Sequence, residues 1–229
     1  ADQAAKLFGV GSMLHAMLAA VKKANGYVET WALAAEDNES GQKAAATVTL
    51  SGSTTKSGTL WLYVGGVSVS CKVVAGEELS AVATRLASAV NADATLPVTA
   101  QAATGTVTLA AKNKGTLGNG IVLAYSNTVP GITPTLTAMT GGQKDPDIAE
   151  ALTAVFAADY TIYCVPWAVQ APLAALREHL DNVGGPMEQR GAIGVYASTG
   201  TLSAATTLAG QLNSGRITGA LLPGSTTPP

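Results

Sequence analysis

The sequence predicts a mixed α/β fold, α+β overall: a Rossmann-like parallel or mixed sheet with flanking helices, carrying an inserted, mostly antiparallel β module with one helix. Three observations predict it. The hydrophobic period changes near residues 43 and 143, which divides the chain into three. Between these points the apolar residues alternate with period two, as in half-buried strands. Beyond them, from residue 145, helical and strand patterns alternate as βαβαβ, which implies right-handed crossovers and a largely parallel sheet. The expected organisation is a discontinuous α/β domain of residues 1–42 and 143–229 around an inserted β-rich domain of residues 43–142.

Each element has its own warrant. In "GSMLHAMLAAVKKANG", Leu14, Met17, Leu18 and Val21 recur at i, i+3, i+4 and i+7, a helix that Ser12 can cap. Lys22 and Lys23 suit its C-terminal end and Gly26 a left-handed exit. "YVETWALAA" reads as a strand that joins the parallel sheet, and "EDNESGQK" as a polar joint. Then "AATVTLSG", "GTLWLYVGG", "VSVSCKVV", "PVTAQAA", "GTVTLAA", "GIVLAYS" and "ITPTLTAM" read as strands, with Gly65-Gly66 as a tight hairpin turn. One helix interrupts them: Leu79, Val82, Ala83, Leu86 and Val90 form its stripe, and Glu77 and Glu78 sit in its first turn, facing the positive end of the dipole.

The last third opens with Asp145 as N-cap and Pro146 as first helical residue, before a stripe of Ile148, Leu152, Val155 and Phe156. "YTIYCVPW" is apolar on both faces, as a strand covered on both sides must be. A helix "LAALREHLDNVGG" closed by glycines, a strand "RGAIGVYAS", a helix "LSAATTLAGQL" and a strand "RITGALL" follow.

Composition narrows the function classes. The 229 residues are 47% apolar but only 12% charged, a bland surface rich in Ala, Thr and Gly. A net charge of −2 supplies no electrostatic footprint for nucleic acid and no polybasic patch for a membrane. Mean hydropathy is +0.27. The longest uncharged candidate for a span, residues 160–176, is interrupted by Pro166 and Pro172, whereas a spanning helix wants about 20 apolar residues. The N-terminus "ADQAAKLFG" lacks the pattern of a signal peptide and does not begin with Met. With the loose ending "PGSTTPP", this leads us to expect a trimmed piece of a longer polypeptide. Cys71 and Cys164 fall in strand-like runs and read as buried small hydrophobes, in keeping with a reducing place of synthesis.

Each motif that could carry chemistry also has a structural reading. "AAKNKGTLGNGIVLAY", residues 110–125, clusters glycines with lysine as a phosphate loop does, but the order is Lys114-Gly115-Thr116 and a strand follows where a helix is needed. Its glycines read as supplying positive φ in a turn between strands. Ser198, Thr199, Gly200 and Thr201 lie where an open α/β sheet binds ligands, yet helix capping explains their hydroxyls. Nucleophilic catalysis would pair Cys164 with a histidine, but His179 is expected to point to solvent and His15 to lie at an edge. Asp145, Asp147 and Glu150 read as acids at a helix start rather than metal ligands, and Trp31, Trp61 and Trp167 as packing residues. The expectation is no catalytic, cofactor-binding or metal-binding residue, and no cofactor.

The order of motifs carries more. The run "SGTLWLYVGGVSVSCKVVAGEELSAVATRLASAVNADATLPVTAQAATGTVTLAAKNKGTLGNGI", followed by "LTAMTGGQKDPDIAEAL", resembles the central region of tail sheath proteins of Mu-like contractile-tailed phages and prophages. "NKGTLGN" and "TAMTGG" are its most specific parts, and "ADQAAKLFGVGSMLHAML" and "GPMEQRGAIGVYASTGTLSA" extend it over nearly the whole chain. The resemblance implies a structural, non-enzymatic virion protein, made in the bacterial host cytoplasm. Its partners would be copies of itself in a helical sheath, the tail tube protein, the baseplate and the tail terminator, with no nucleic acid and no membrane. Contraction would drive the tube through the host envelope during genome ejection. The resemblance also implies exchanged terminal arms and a further C-terminal domain, a pattern from which this chain is expected to depart at the first N-terminal segment and after "STTPP". Alone it is expected to be monomeric. The alternative is a surface adhesin or carbohydrate-binding β module on an α/β domain, with Trp61 or Trp167 meeting the glycan. A Rossmann-like enzyme rests on fold analogy alone.

Overall fold

A computed structural model of the chain describes residues 2–225; the last part of the ending "PGSTTPP" lies outside them. Two helices, α1 (Asp2–Phe8) and α2 (Met13–Ala24), come first. Ser12 caps α2 as expected, its hydroxyl accepting from the His15 N–H at 3.2 Å. The exit differs: Asn25 ends the helix in an extended conformation, and Gly26 is not among the residues with positive φ.

The largest departure follows. Residues 27–35 form no strand. A strand needs a partner for its backbone groups, and here side chains take them up locally. The Asn25 carbonyl oxygen of the side chain accepts from the Tyr27 N–H at 3.0 Å, Thr30 Oγ1 donates to the Val28 carbonyl at 3.1 Å, and the Lys22 ammonium donates to that same carbonyl. Tyr27, Val28, Trp31 and Leu33 are left exposed. "EDNESGQK" is a loop, as its composition predicts.

The antiparallel module follows the sequence closely. Its elements are β1 (Ala45–Gly52), β2 (Gly58–Val64), β3 (Val67–Val73), α3 (Leu79–Ala92), β4 (Val98–Ala103), β5 (Thr106–Ala111), a 3-10 turn (Thr116–Gly120), β6 (Leu123–Asn127) and β7 (Ile132–Leu136). They make two sheets, ordered β4-β5-β1-β7 and β3-β2-β6, and every pairing is antiparallel. Alternation sends Ala46, Val48 and Leu50, Leu60, Leu62 and Val64, and Val107 and Leu109 into one core. The α3 stripe Val82, Ala83, Leu86 and Val90 fills the same core, with Leu79 partly buried at its edge. Gly65 and Gly66, both at positive φ, turn β2 into β3 in the two-residue form the sequence predicts. Glu77 behaves otherwise than expected: it takes an ion pair with Arg85 and accepts from the Val74 N–H at 3.1 Å. Glu78 occupies the N-cap position without a side-chain bond.

The last third contains α4 (Ala149–Ala154), β8 (Ile162–Cys164), α5 (Gln170–Val183), β9 (Ile193–Ser198), α6 (Leu202–Leu212) and β10 (Ile217–Leu221). The sheet order β10-β9-β8 is parallel throughout. Because both crossovers step the same way, right-handedness puts α5 and α6 on one face. There Leu173, Leu176 and Leu180 bury themselves with Tyr196, Ile148 and Leu152. Gly194 permits the close approach, since a Cβ there would lie 2.8 Å from Leu176 Cδ2. The other face is bare: Ile162 and Ile193, paired across β8 and β9, are 65% and 47% exposed. "YTIYCVPW" is therefore a three-residue edge strand and not one covered on both sides, and Cys164 is exposed rather than buried.

Candidate functional site

The glycine loop that resembles a phosphate cradle is a clamp between the two halves of the molecule. Where the chain passes from residues 41–45 into the module and back out at 140–143, the two crossings pair with each other, Gln42 with Gln143 and Ala45 with Thr140. The loop 112–120 is stitched across this neck. The Lys114 ammonium donates to the carbonyls of Asn38 at 3.2 Å and Glu39 at 2.8 Å, so it is spent on backbone and does not face an anion. The Thr116 N–H and hydroxyl both donate to the Asp145 carboxylate at 2.7 Å. The Asn119 side chain exchanges two hydrogen bonds of 2.9 Å with the backbone of Gly142.

The glycines differ in what they do. Only Gly115 of the three has positive φ, at 102°. Gly118 is needed for space instead, because a Cβ there would meet Ala44 Cβ at 2.8 Å and Ala111 Cβ at 2.9 Å. At Gly120 nothing lies within 4 Å. The expectation that all three serve positive φ therefore holds for one.

The acids at 145–150 do not act together. Asp145 is not the N-cap of α4; it is drawn to Thr116 across the neck, and α4 starts later, with Ile148 at the cap position. Asp147 accepts from the Ala149 N–H at 2.9 Å and Glu150 lies in the first turn. At the end of β9, Thr201 Oγ1 caps α6 by accepting from the Ala204 N–H at 3.2 Å, and Ser198 Oγ accepts from the Gly200 N–H at 3.3 Å. Among the described residues, no group of three or more His, Cys, Asp or Glu could hold a metal ion, and no helix is long and apolar enough to cross a membrane.

His179 is the side chain that sequence reasoning misplaced. It is 6% exposed, with Nε2 3.0 Å from the Tyr163 hydroxyl. Its position, three residues after Leu176 and four before Val183, continues the buried stripe of α5, a signal that was available. Phe156 meets its ring edge-on at 6.1 Å and Tyr163 at 5.0 Å. Burial lowers the His179 pKa from its ordinary value, and the nearby Arg190 charge lowers it further. Burial likewise raises the Tyr163 phenol, and it raises the Cys71 thiol of the module core against the pull of Arg85. Trp167 and Trp61 are half-buried, and Trp31 is the exposed tryptophan at 68%.

No family model matches the chain. A search of curated proteins finds a relative 34% identical over 216 residues, the "Mu-like prophage FluMu tail sheath protein" of Haemophilus influenzae strain Rd. The chain is similar to a Mu-like tail sheath protein. The match takes in 92% of the chain, so it includes the neck, the module and most of the α/β region rather than one motif. The chain spans less than half of that sheath protein, 44% of its length. The resemblance carried by "NKGTLGN" and "TAMTGG" falls on the residues that build the neck: Lys114, Thr116 and Asn119 on one side, Thr140 and Gly142 on the other.

Proposed function

We propose that the chain is a structural part of a contractile tail sheath. Copies polymerise helically around a tail tube protein between a baseplate and a tail terminator, and their contraction drives the tube through the host envelope during genome ejection. The chain acts by shape and self-association, without cofactor, bond chemistry, nucleic acid or membrane partner. It works in the virion after synthesis in the bacterial host cytoplasm. Within it, residues 1–42 and 143–229 serve as one α/β unit and 43–142 as an inserted module.

The observation that carries this reading is the likeness to a tail sheath protein over nearly the whole chain. The engagement of the tested side chains in clamps, caps and packing supports it, because a contractile lattice needs rigid modules whose repeated contacts switch between two packings. Electron microscopy of the full-length protein tests it. Hollow rods of constant diameter are expected, and discrete particles under every assembly condition would overturn the reading. Glycan binding through Trp61 or Trp167 would point to the adhesin alternative.

A further inference from the structure

The neighbourhood of His179 joins segments that are far apart in sequence. Tyr163 is the middle residue of β8, the sheet edge, whose ladder with β9 has three residue pairs. Its hydroxyl meets His179 Nε2 on α5 at 3.0 Å. Phe156, in the turn after α4, closes over the imidazole, and the Arg190 guanidinium carbon lies 5.3 Å from the Phe156 ring centroid. Arg190 also donates to the carbonyls of Ala158 and Phe156, both at 2.6 Å, and to Glu188 at 3.0 Å. Tyr160 stacks edge-on to Tyr163 at 6.3 Å and in turn meets Trp31 at 6.3 Å.

We propose that the His179–Tyr163 pair is an acid-sensitive latch that holds the edge strand β8 and the 155–160 turn against α5. With His179 neutral, the Tyr163 hydroxyl donates to Nε2. Protonation turns Nε2 into a donor, so the phenol must accept and find another acceptor for its own proton. It also places a second cation in a poorly solvated cluster beside Arg190. Of the ionisable groups around the pair, Tyr163 on β8 bonds the imidazole and Arg190 in the loop before β9 acts on both rings, while Tyr160 and Asp159 beyond α4 act on Tyr163 and Glu188 pairs with Arg190. Glu178 and Asp181 are its neighbours on α5, Asp181 pairing with Arg177; α6 carries no ionisable side chain, and β9 carries Tyr196. The charge that acts on His179 is thus the cation Arg190, and it opposes protonation.

The direction in pH follows. A histidine whose folded pKa lies below its unfolded value leaves the folded state short of a proton between the two values. The latch is therefore at full strength above the ordinary histidine value of about 6.5 and weakens as pH falls from there through the lowered value. At most one proton is linked to opening, so the opening equilibrium rises by no more than about tenfold for each unit that pH falls within that window. The adjacent bare face, with Ile162 and Ile193, then gains a freed strand edge.

Hydrogen exchange across pH, corrected for intrinsic rates, tests this on the whole chain. Peptides covering 157–169 are expected to lose protection below the ordinary histidine value while those covering β1 and β5 stay protected. His179→Phe, which keeps an aromatic ring in place, is expected to abolish that pH dependence. Tyr163→Phe removes the donor that favours neutral Nε2, so it is expected to raise the His179 pKa toward the ordinary value and to shrink the acid-induced loss of protection. An NMR titration of the unmutated chain reads the same group without relying on any variant folding. A His179 pKa at or above the ordinary value, or acid opening of 157–169 that persists unchanged in His179→Phe, overturns the latch.

Discussion

The antiparallel module and the parallel sheet of the last third are built from similar residues and end up differently finished. In the module, both sheets and α3 turn their apolar faces onto one shared core, and Leu60, Leu62, Leu86, Leu96 and Leu109 are sealed within it. In the α/β region the buried residues gather on one side only, around Leu173, Leu176 and Leu180, and the opposite face shows Ile162 and Ile193 to solvent. The difference shows what a one-directional βαβαβ can and cannot do. Antiparallel strands can fold over to bury their own faces, but right-handed crossovers that all step one way leave half of a parallel sheet unclothed. Stability is therefore concentrated in the module, and adaptability in the parallel sheet.

Truncating the module core should sharpen this contrast most. Leu86→Ala removes a fully buried side chain from between α3 and the sheets and is expected to cost about 2–5 kcal/mol in urea unfolding. Leu176→Ala should instead weaken exchange protection of the α/β region first. If the two variants lower protection across both regions alike, the two regions do not differ in stability. Next in size is Gly118→Ala, whose methyl would press on Ala44 and Ala111; a loss of about 1–3 kcal/mol is expected. A wild-type melting curve for that variant would mean the neck gives way easily.

Smaller effects probe the α/β side. Thr201→Ala deletes the α6 cap and should cost about 1 kcal/mol, seen as a lower midpoint for the C-terminal region while the module's midpoint holds. Ile193→Ser lies on the bare face and should change chain stability by no more than about 0.5 kcal/mol. A much larger loss would reveal that this face is packed in solution after all.

The same contrast explains what could be read in advance. The module was legible because period-two alternation encodes an inner and an outer face, and Gly65-Gly66 encodes the turn between two strands. The α3 and α5 stripes were equally plain. What failed depended on partners distant in sequence. Asp145 looks like an N-cap until Thr116, 29 positions away, claims both its oxygens. Residues 27–35 look like a strand, but strand propensity needs an edge to pair with, and local side-chain bonds win. His179 was misjudged by its polarity although its spacing placed it inside, because the Tyr163 hydroxyl that makes its burial tolerable comes from another element. The glycine loop was read correctly as a turn, but its role as a clamp on the neck needs the crossings at 42 and 143 to be seen side by side.

That neck has a mechanical meaning. Two covalent strands leave the module together, bonded edge to edge through Gln42 with Gln143 and Ala45 with Thr140, and braced by the Thr116–Asp145 and Asn119–Gly142 contacts. Torque applied to one end meets a ribbon rather than a swivel: to rotate freely, several bonds would have to shear at once.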